Sequence, residues 1–186
     1  MRINTTQNYS LVNGPGRRFV VWFQGCSIHC NGCINKHMWS KTGGKSISVK
    51  KLVSMIPKDV DGVTISGGEP LDQYLELLKL LKVLHPKYEI FLTSGYRLED
   101  IVIRFPKVLE YIDILIDGPF DKTKLETSPT SWRGSTNQNV CLLSDRAQKY
   151  KKSKSAYSAE VIVSPNGDMS ITGFSVPKYL LSGKLK

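Results

Sequence analysis

Residues 63–84 read VTISGGEPLDQYLELLKLLKVL, and this stretch decides the fold. Val63 to Ser66 is a short run rich in β-branched residues that predicts a strand. It passes without a spacer into Gly67, Gly68, Glu69 and Pro70. Leu71 to Leu84 then predicts a helix: Asp72, Gln73, Glu76 and Lys79 fall at helical spacings, and Leu75, Leu78 and Leu81 are assigned to the buried side. The same order recurs downstream, with a strand at Glu89 to Thr93, a helix at Leu98 to Phe105 and a strand at Asp113 to Asp117. Upstream, Phe19 to Gln24 predicts a strand after the turn residues Asn13 to Gly16, and Ser48 caps a helix that runs to Ile56 and stops at Pro57. Strands separated by helices pair in parallel through right-handed crossovers. In such sheets the loops at the carboxyl ends of the strands carry the site.

The chain has 186 residues, 40% of them hydrophobic and 23% charged, which suits one globular domain. A domain of this size buries roughly 70% of its unfolded surface, so the core needs neither disulfide nor metal. No apolar run approaches the ~20 residues of a membrane span, and the N-terminus MRINTTQNYSLVNGPG lacks the apolar centre of a secretory signal. The expected location is the reducing cytoplasm, where four cysteines read as metal ligands or free thiols. The net charge of +10 is unevenly spread: 18 basic and 13 acidic residues lie in 1–141, against 8 and 3 in 142–186. Such a surface can meet nucleic acid, an acidic protein or a phosphorylated substrate, or serve solubility alone.

Beyond Asp117 the periodicity lapses into a loop rich in Thr, Ser and Asn that includes WRGSTNQN at 132–139. Asp145 to Ser155 reads as an exposed basic helix or linker. Glu160 to Val163 and Met169 to Thr172 flank an Asn166-Gly167 pair and predict a hairpin. The expected organisation is a core over 1–141 and a basic extension over 142–186 packed on the same domain.

Cys26, Cys30 and Cys33 form CxxxCxxC within GCSIHCNGC. Three thiolates on one loop can ligate three irons of a [4Fe–4S] cubane and leave the fourth iron open. Zinc is the alternative, with His29, His37 or Cys141 completing the set. In the Gly67 to Pro70 turn, two glycines permit close approach of backbone to a ligand, Glu69 supplies an anionic acceptor and Pro70 suits a helix's first turn.

The triplet together with the later GGEP resembles the radical S-adenosylmethionine (SAM) superfamily. That resemblance implies a partial (β/α)6 barrel in an α/β single-domain fold, here with a C-terminal β-hairpin extension. It also implies a [4Fe–4S] cluster on Cys26, Cys30 and Cys33, with SAM chelated at the open iron and Gly67, Gly68, Glu69 and Pro70 contacting its methionine amino group. Ser66, which opens the turn, and Ser94, just beyond the third strand, join them as expected SAM contacts. NGPG at 13–16, CNGCINKHMW at 30–39, TSGYRLEDI at 93–101, ILIDGPF at 114–120 and WRGSTNQ at 132–138 narrow the resemblance to the activating proteins of anaerobic (class III) ribonucleotide reductase, over roughly residues 8–140. Ile34 departs from the aromatic residue or histidine common after the third cysteine in that group.

The implied activity is reductive cleavage of SAM, with the resulting 5′-deoxyadenosyl radical making a glycyl radical on a partner enzyme. The implied partners are the anaerobic reductase and an electron donor such as flavodoxin or ferredoxin, with no membrane. Two rivals remain: a radical SAM enzyme acting on a peptide or RNA, and a non-catalytic zinc or iron–sulfur module. Asp117, Trp132, Arg133 and Ser135 are read either as substrate or partner contacts on the open side of the barrel or as residues that cap a turn and pin a loop.

Overall fold

Each of the first three central strands leads into a helix or helical turn that returns the chain to the strands' starting end, so these three and the strand that follows them lie parallel. We describe residues 1–128, 131–152, 159–163 and 166–173 of a computed structural model. In chain order the elements are β1 (Arg2–Ser10), β2 (Arg18–Phe23), β3 (Lys45–Ser46), α1 (Val49–Ser54), β4 (Gly62–Gly67), α2 (Tyr74–Leu84), β5 (Glu89–Thr93), α3 (Leu98–Arg104), β6 (Ile114–Asp117), β7 (Asn139–Leu142), β8 (Glu160–Val163) and β9 (Met169–Thr172). A seven-stranded sheet runs β3-β1-β2-β4-β5-β6-β7, and β8 pairs with β9 separately. Strands β2, β4, β5 and β6 are parallel, whereas β1, β3 and β7 join antiparallel.

Those antiparallel margins are where the structure departs from the expected run of β/α units. Among the described residues only the 3₁₀ turn Lys122–Lys124 lies between β6 and β7, too short to carry the chain back across the sheet, so β7 returns alongside β6 in the opposite sense. Strand β1 has few apolar residues to betray it: only its Ile3 and Ser10 are buried.

Ser48 caps α1, its Oγ accepting from the Lys51 N–H at 3.2 Å. Residues Pro70–Gln73 form a 3₁₀ turn before α2, which buries Leu77, Leu80, Leu81 and Leu84. Leu75, expected inside, is 69% exposed. The tighter three-residue turn shifts the phase of α2 relative to a helix counted from Leu71.

Strand alternation sorts the sheet's two faces. On one, Phe19, Val21, Val63, Ile65, Ile90, Leu92 and Leu115 pack against the leucines of α2, Leu52 of α1 and Ile101 of α3. On the other, the parallel registers stack side chains in three rows. Arg18, Gly62 and Glu89 lie at the amino end; Val20, Thr64, Phe91 and Ile114 lie above them; Trp22, Ser66, Thr93 and Ile116 lie at the carboxyl end. Trp132 closes the middle row, edge-on to Phe91 at 6.4 Å between centroids.

Buried charge in the lowest row is paired. Arg18, fully buried, donates from Nη2 to the carbonyls of Val63 at 3.0 Å and Glu89 at 2.8 Å, and its Nη1 lies 3.4 Å from Glu89 Oε1. Gly62 has no side chain because a Cβ there would lie 2.5 Å from Arg18 Nη1. Residues Asp145–Tyr150, expected to be an exposed helix or linker, form a 3₁₀ segment docked beneath this end. Its Ala147 is buried, Arg146 bonds Asp113, and Tyr150 donates to Glu89 Oε1 at 2.8 Å. The rest of that expected element, residues 153–155, and the basic tail 174–186 lie outside the described residues.

Candidate active site at the carboxyl end of the sheet

The uppermost row, Trp22, Ser66, Thr93 and Ile116, floors a cavity of about 830 Å³. Thr93 Oγ1 donates to Ser66 Oγ at 2.8 Å, tying β5 to β4 across that floor. Cys26, Cys30 and Cys33 line one side, and Gly67, Gly68, Glu69, Ser94 and Gly95 line the adjacent one.

The cysteine loop is held by its backbone. Gly25 N–H donates to Met38 O at 2.7 Å and Cys26 N–H to Trp39 O at 3.1 Å, while His29 takes a positive φ of 52°. Asp72 fastens the loop to the 70–73 turn, accepting from Ser27 N–H and Ser27 Oγ at 2.7 Å each. Sequence reasoning saw Asp72 only as part of a polar helix face; nothing in its spacing links it to Ser27. The Trp39 ring stacks on His29 at 4.5 Å.

Gly67 and Gly68 have a reason for being glycine that precedes any ligand. A Cβ on Gly67 would meet Phe23 N at 2.3 Å, and one on Gly68 would meet Gly25 O at 2.2 Å. Gly68 N–H donates to Phe23 O at 2.9 Å and Glu69 N–H to Gly25 O at 2.8 Å. The two glycines thus let the turn after β4 lie against the chain leaving β2, which brings Glu69 beside the cysteine loop.

Glu69 is 1% exposed. Its Oε1 accepts from Leu71 N–H at 2.9 Å and Ser94 Oγ at 3.0 Å, and its Oε2 accepts from Gly95 N–H at 2.8 Å. Burial pushes the carboxyl up to about 7 against the pull of these bonds, and Asp72 adds a smaller push in the same direction. All three donors are neutral. Sequence reasoning had Ser94 as a ligand contact and missed Gly95, whereas the structure makes both of them holders of Glu69.

The thiols fit a metal cluster. Burial raises Cys26 and Cys30 above the ordinary thiol range, although the N–H groups of His29 and Ile28 at Cys26, and of Phe120 at Cys30, act in the opposite direction. Buried thiols flanked by amide donors suit thiolates that a metal keeps deprotonated. Among the described residues no three His, Cys, Asp or Glu side chains converge on one metal-ion position. A cubane asks less of the thiols, because each cysteine holds a different iron around a shared volume. Cys141, a possible zinc ligand from spacing, lies on β7 with its thiol 3.5 Å from Asp117 Oδ1. Trp39 Nε1 and Gln7 Oε1, on residues that line the cavity, are buried polar atoms without a partner among the described residues.

Four expected contacts have other work. Asp117, 1% exposed, accepts from Leu98 N–H at 2.9 Å at the start of α3. Trp132 belongs to the middle row. Arg133 donates to Glu126 Oε2 at 2.8 Å and Gln138 O at 2.9 Å, and Ser135 Oγ accepts from Asp121 N–H at 3.1 Å. These residues brace the long loop between β6 and β7, whose Gly118, Phe120, Gly134 and Gln138 reach the cavity in their place.

The family described as 4Fe-4S single cluster domain matches residues 12–141. Among curated proteins, the anaerobic ribonucleoside-triphosphate reductase-activating protein of Enterobacteria phage T4 is 36% identical over 148 residues, covering 75% of this chain and 92% of that protein. The proteins of that name from Salmonella typhi and from Vibrio cholerae serotype O1 are 32% and 33% identical, each covered to 97% of its length, over 75% and 74% of this chain. Among solved structures, the crystal structure of QueE from Escherichia coli matches with a TM-score of 0.41 and 22% identity, over 50% of this chain and 52% of that one. Sharing the 4Fe-4S single cluster domain and nearly the full length of these relatives, the chain belongs to the family of anaerobic ribonucleoside-triphosphate reductase-activating proteins.

Proposed function

We propose that this protein is a radical SAM activase that makes a glycyl radical on an anaerobic ribonucleotide reductase. One observation carries the reading: a single cavity joins three thiols to a buried carboxylate that has no cationic partner among the described residues. In this reading Cys26, Cys30 and Cys33 hold a [4Fe–4S] cluster, and Glu69 accepts the methionine ammonium of SAM. Ser66, Gly67 and Gly68 form the adjoining wall, Pro70 sets the turn, and Ser94 orients Glu69.

When bound, the reduced cluster and SAM together supply a 5′-deoxyadenosyl radical that takes hydrogen from a glycine of the partner. The chain's own task is orientation and exclusion of water. No general acid or base is required for it. Glu69 keeps one end of SAM fixed, and the floor row sets how deep the cofactor sits.

The three stacked rows support a partial barrel, with the hairpin β8–β9 as an extension of a single domain whose core is 1–141 and whose basic part is 142–186. A cytoplasmic protein reduced by a flavodoxin or ferredoxin is the corresponding cellular setting. Among the described residues no helix is long and apolar enough to cross a membrane. An RNA substrate is the weaker reading, because among the described residues no Lys or Arg lines the cavity despite the net charge of +10.

The test is anaerobic reconstitution followed by SAM cleavage with and without the reductase. Deuterium on the reductase's glycines is expected in 5′-deoxyadenosine, together with a glycyl radical signal in electron paramagnetic resonance. Cleavage of SAM that never labels from the reductase and leaves it without a radical overturns the reading.

A further inference from the structure

The hairpin β8–β9 lies outside the residues 12–141 matched by the family, yet it reaches back to the shared cavity. Ile162 and Ser170–Gly173 line the side opposite the turn that carries Glu69. Two attachments hold the hairpin there. Glu160 accepts from Gln7 Nε2 at 2.9 Å and from the Leu11 N–H, and Thr172 Oγ1 accepts from Asn13 Nδ2 at 3.0 Å. Together they fasten it to β1 and to the chain that follows β1, leaving the hairpin and β1 side by side at the cavity's rim.

Strand β1 contributes five consecutive residues, Asn4 to Asn8, to the same rim. Side chains alternate between faces along a strand, so an unbroken run of five means that the strand's edge borders the cavity. Strand β2 covers one edge of β1; β3 covers the other only at Arg2 and Ile3. Among the described residues no strand pairs with that outer edge beyond Ile3, and such an edge accepts an added strand through its main-chain groups. Gln7 adds an acceptor: its Nε2 is engaged by Glu160 and by Tyr9 O, while its Oε1 is buried with no donor among the described residues. The chemistry of these walls is uncharged, being Asn, Thr, Gln and Ser with Ile162 and Ile171. That combination matches amide groups and small side chains, not phosphates.

We infer that the hairpin β8–β9 and the outer edge of β1 form the two walls of a slot that takes an extended, uncharged segment of the partner polypeptide, the segment bearing the glycine. The inference rests on the activase reading and adds to it the surface that receives the partner. An extended segment would hydrogen-bond along β1, offer an N–H to Gln7 Oε1 and pack a small side chain against Ile162. The glycine would thereby enter over the floor row.

Alternation along β8 provides the control, because Ile162 and Val163 point to opposite faces and only Ile162 lines the cavity. Both are exposed, at 37% and 62%, so a carboxylate at either position is compatible with folding. The experiment uses reconstituted holoprotein with SAM and the intact reductase, reading glycyl radical yield against reductase concentration. Ile162→Asp should raise the reductase concentration for half-maximal activation by about tenfold or more, since a charge would face an uncharged segment. Ile162→Ala should shift it less in the same direction. Val163→Asp should match wild type, and all three should bind SAM as wild type does without the reductase. Equal behaviour of Ile162→Asp and Val163→Asp, changed or unchanged, overturns the slot. So does loss of SAM binding in Ile162→Asp, which would assign the hairpin to the cofactor. A wild-type protein that makes no radical on the reductase fails the activase reading itself and takes the slot with it.

Discussion

The two ends of the same sheet treat buried charge in opposite ways. At the amino end Arg18 faces Glu89, and Asp113 accepts from Arg146 at 2.8 Å through Oδ2, so the chain supplies both partners. Burial works to raise the Asp113 carboxyl, but bonds from Arg146, Ser144 and the Ile90 N–H hold it below the ordinary carboxylate range. At the carboxyl end Glu69 has hydrogen bonds but no cation among the described residues, and burial raises it to about 7. A buried charge without its counter-charge is costly. An enclosed carboxylate left in that condition beside three thiols therefore marks a place where a ligand brings the missing charge. The amino end is completed by folding, the carboxyl end by binding.

The largest expected effect is all-or-none. Replacing Cys26, Cys30 or Cys33 with Ala should abolish the cluster, because in the proposed arrangement each holds a separate iron. Cys141→Ala should spare it, since that thiol is engaged with Asp117 on β7. Iron counting and the visible spectrum of anaerobically reconstituted variants check this. Cluster loss in Cys141→Ala would mean a fourth cysteine ligand and remove the open iron.

Next in size is the amino end. Glu89→Ala strips the buried Arg18 of its carboxylate and should cost about 3 to 5 kcal/mol in urea unfolding. Joint replacement by Arg18→Met and Glu89→Leu should cost less than Glu89→Ala alone, because nothing buried is then left charged. Glu69→Gln should instead raise ligand-free stability at neutral pH, by up to about 3 kcal/mol, because no carboxylate is then ionised inside the fold. If Glu69→Gln unfolds the chain as readily as Glu89→Ala, the two ends are alike and the contrast fails.

For binding the order reverses. Glu69→Gln should retain the cluster and weaken SAM binding by roughly 1.5 to 3 kcal/mol, the worth of a charge-assisted bond to an ammonium. The pH dependence has a definite sign. Because the folded carboxyl sits at about 7 and its ordinary value is 4.5, its contribution to stability is present below 4.5 and lost as pH rises through 7. The loss is about 3 kcal/mol at the top of that window, and Glu69→Gln should remove it. Asp113 runs the other way: its contribution is present above 3.8 and lost as acid takes the pH through its lowered folded value. SAM should also force Glu69 to ionise, so calorimetry near pH 6 in buffers of different ionisation heat should show a proton released by wild type and none by the variant.

Legibility in the sequence followed local pattern. The parallel strands and α2 announced themselves through alternation and leucine spacing, and the cysteine loop and GGEP turn through residue chemistry. Strand β1 did not, because at a sheet margin a strand can stay polar, and RINTTQNYS has one large apolar residue in its first half. The role of Trp132 was hidden for a different reason: it depends on a row assembled from four strands far apart in the chain. Gly67 and Gly68 were legible as a tight turn but not as a close approach to Phe23 and Gly25, which only the β2–β4 register creates. Likewise Ser94 reads as a polar residue after a strand, and its grip on Glu69 requires the β4–β5 pairing.

That grip yields the smallest and most selective prediction. Ser94 Oγ donates to Glu69 Oε1 and in turn accepts from Tyr96 N–H at 3.1 Å, so the hydroxyl is held from behind by its own loop. Removing it in Ser94→Ala leaves Glu69 with the Leu71 and Gly95 N–H donors and takes away one bond that favours the ionised form. The carboxyl should therefore rise further above 7, and ligand-free stability should change by only about 1 kcal/mol. SAM binding should weaken modestly at pH 7 and recover as the pH is raised, because higher pH restores the carboxylate that the lost bond had helped to hold. Glu69→Gln should show no such recovery. A pH-independent loss in Ser94→Ala would instead assign Ser94 a direct contact with SAM, as its place after β5 first suggests.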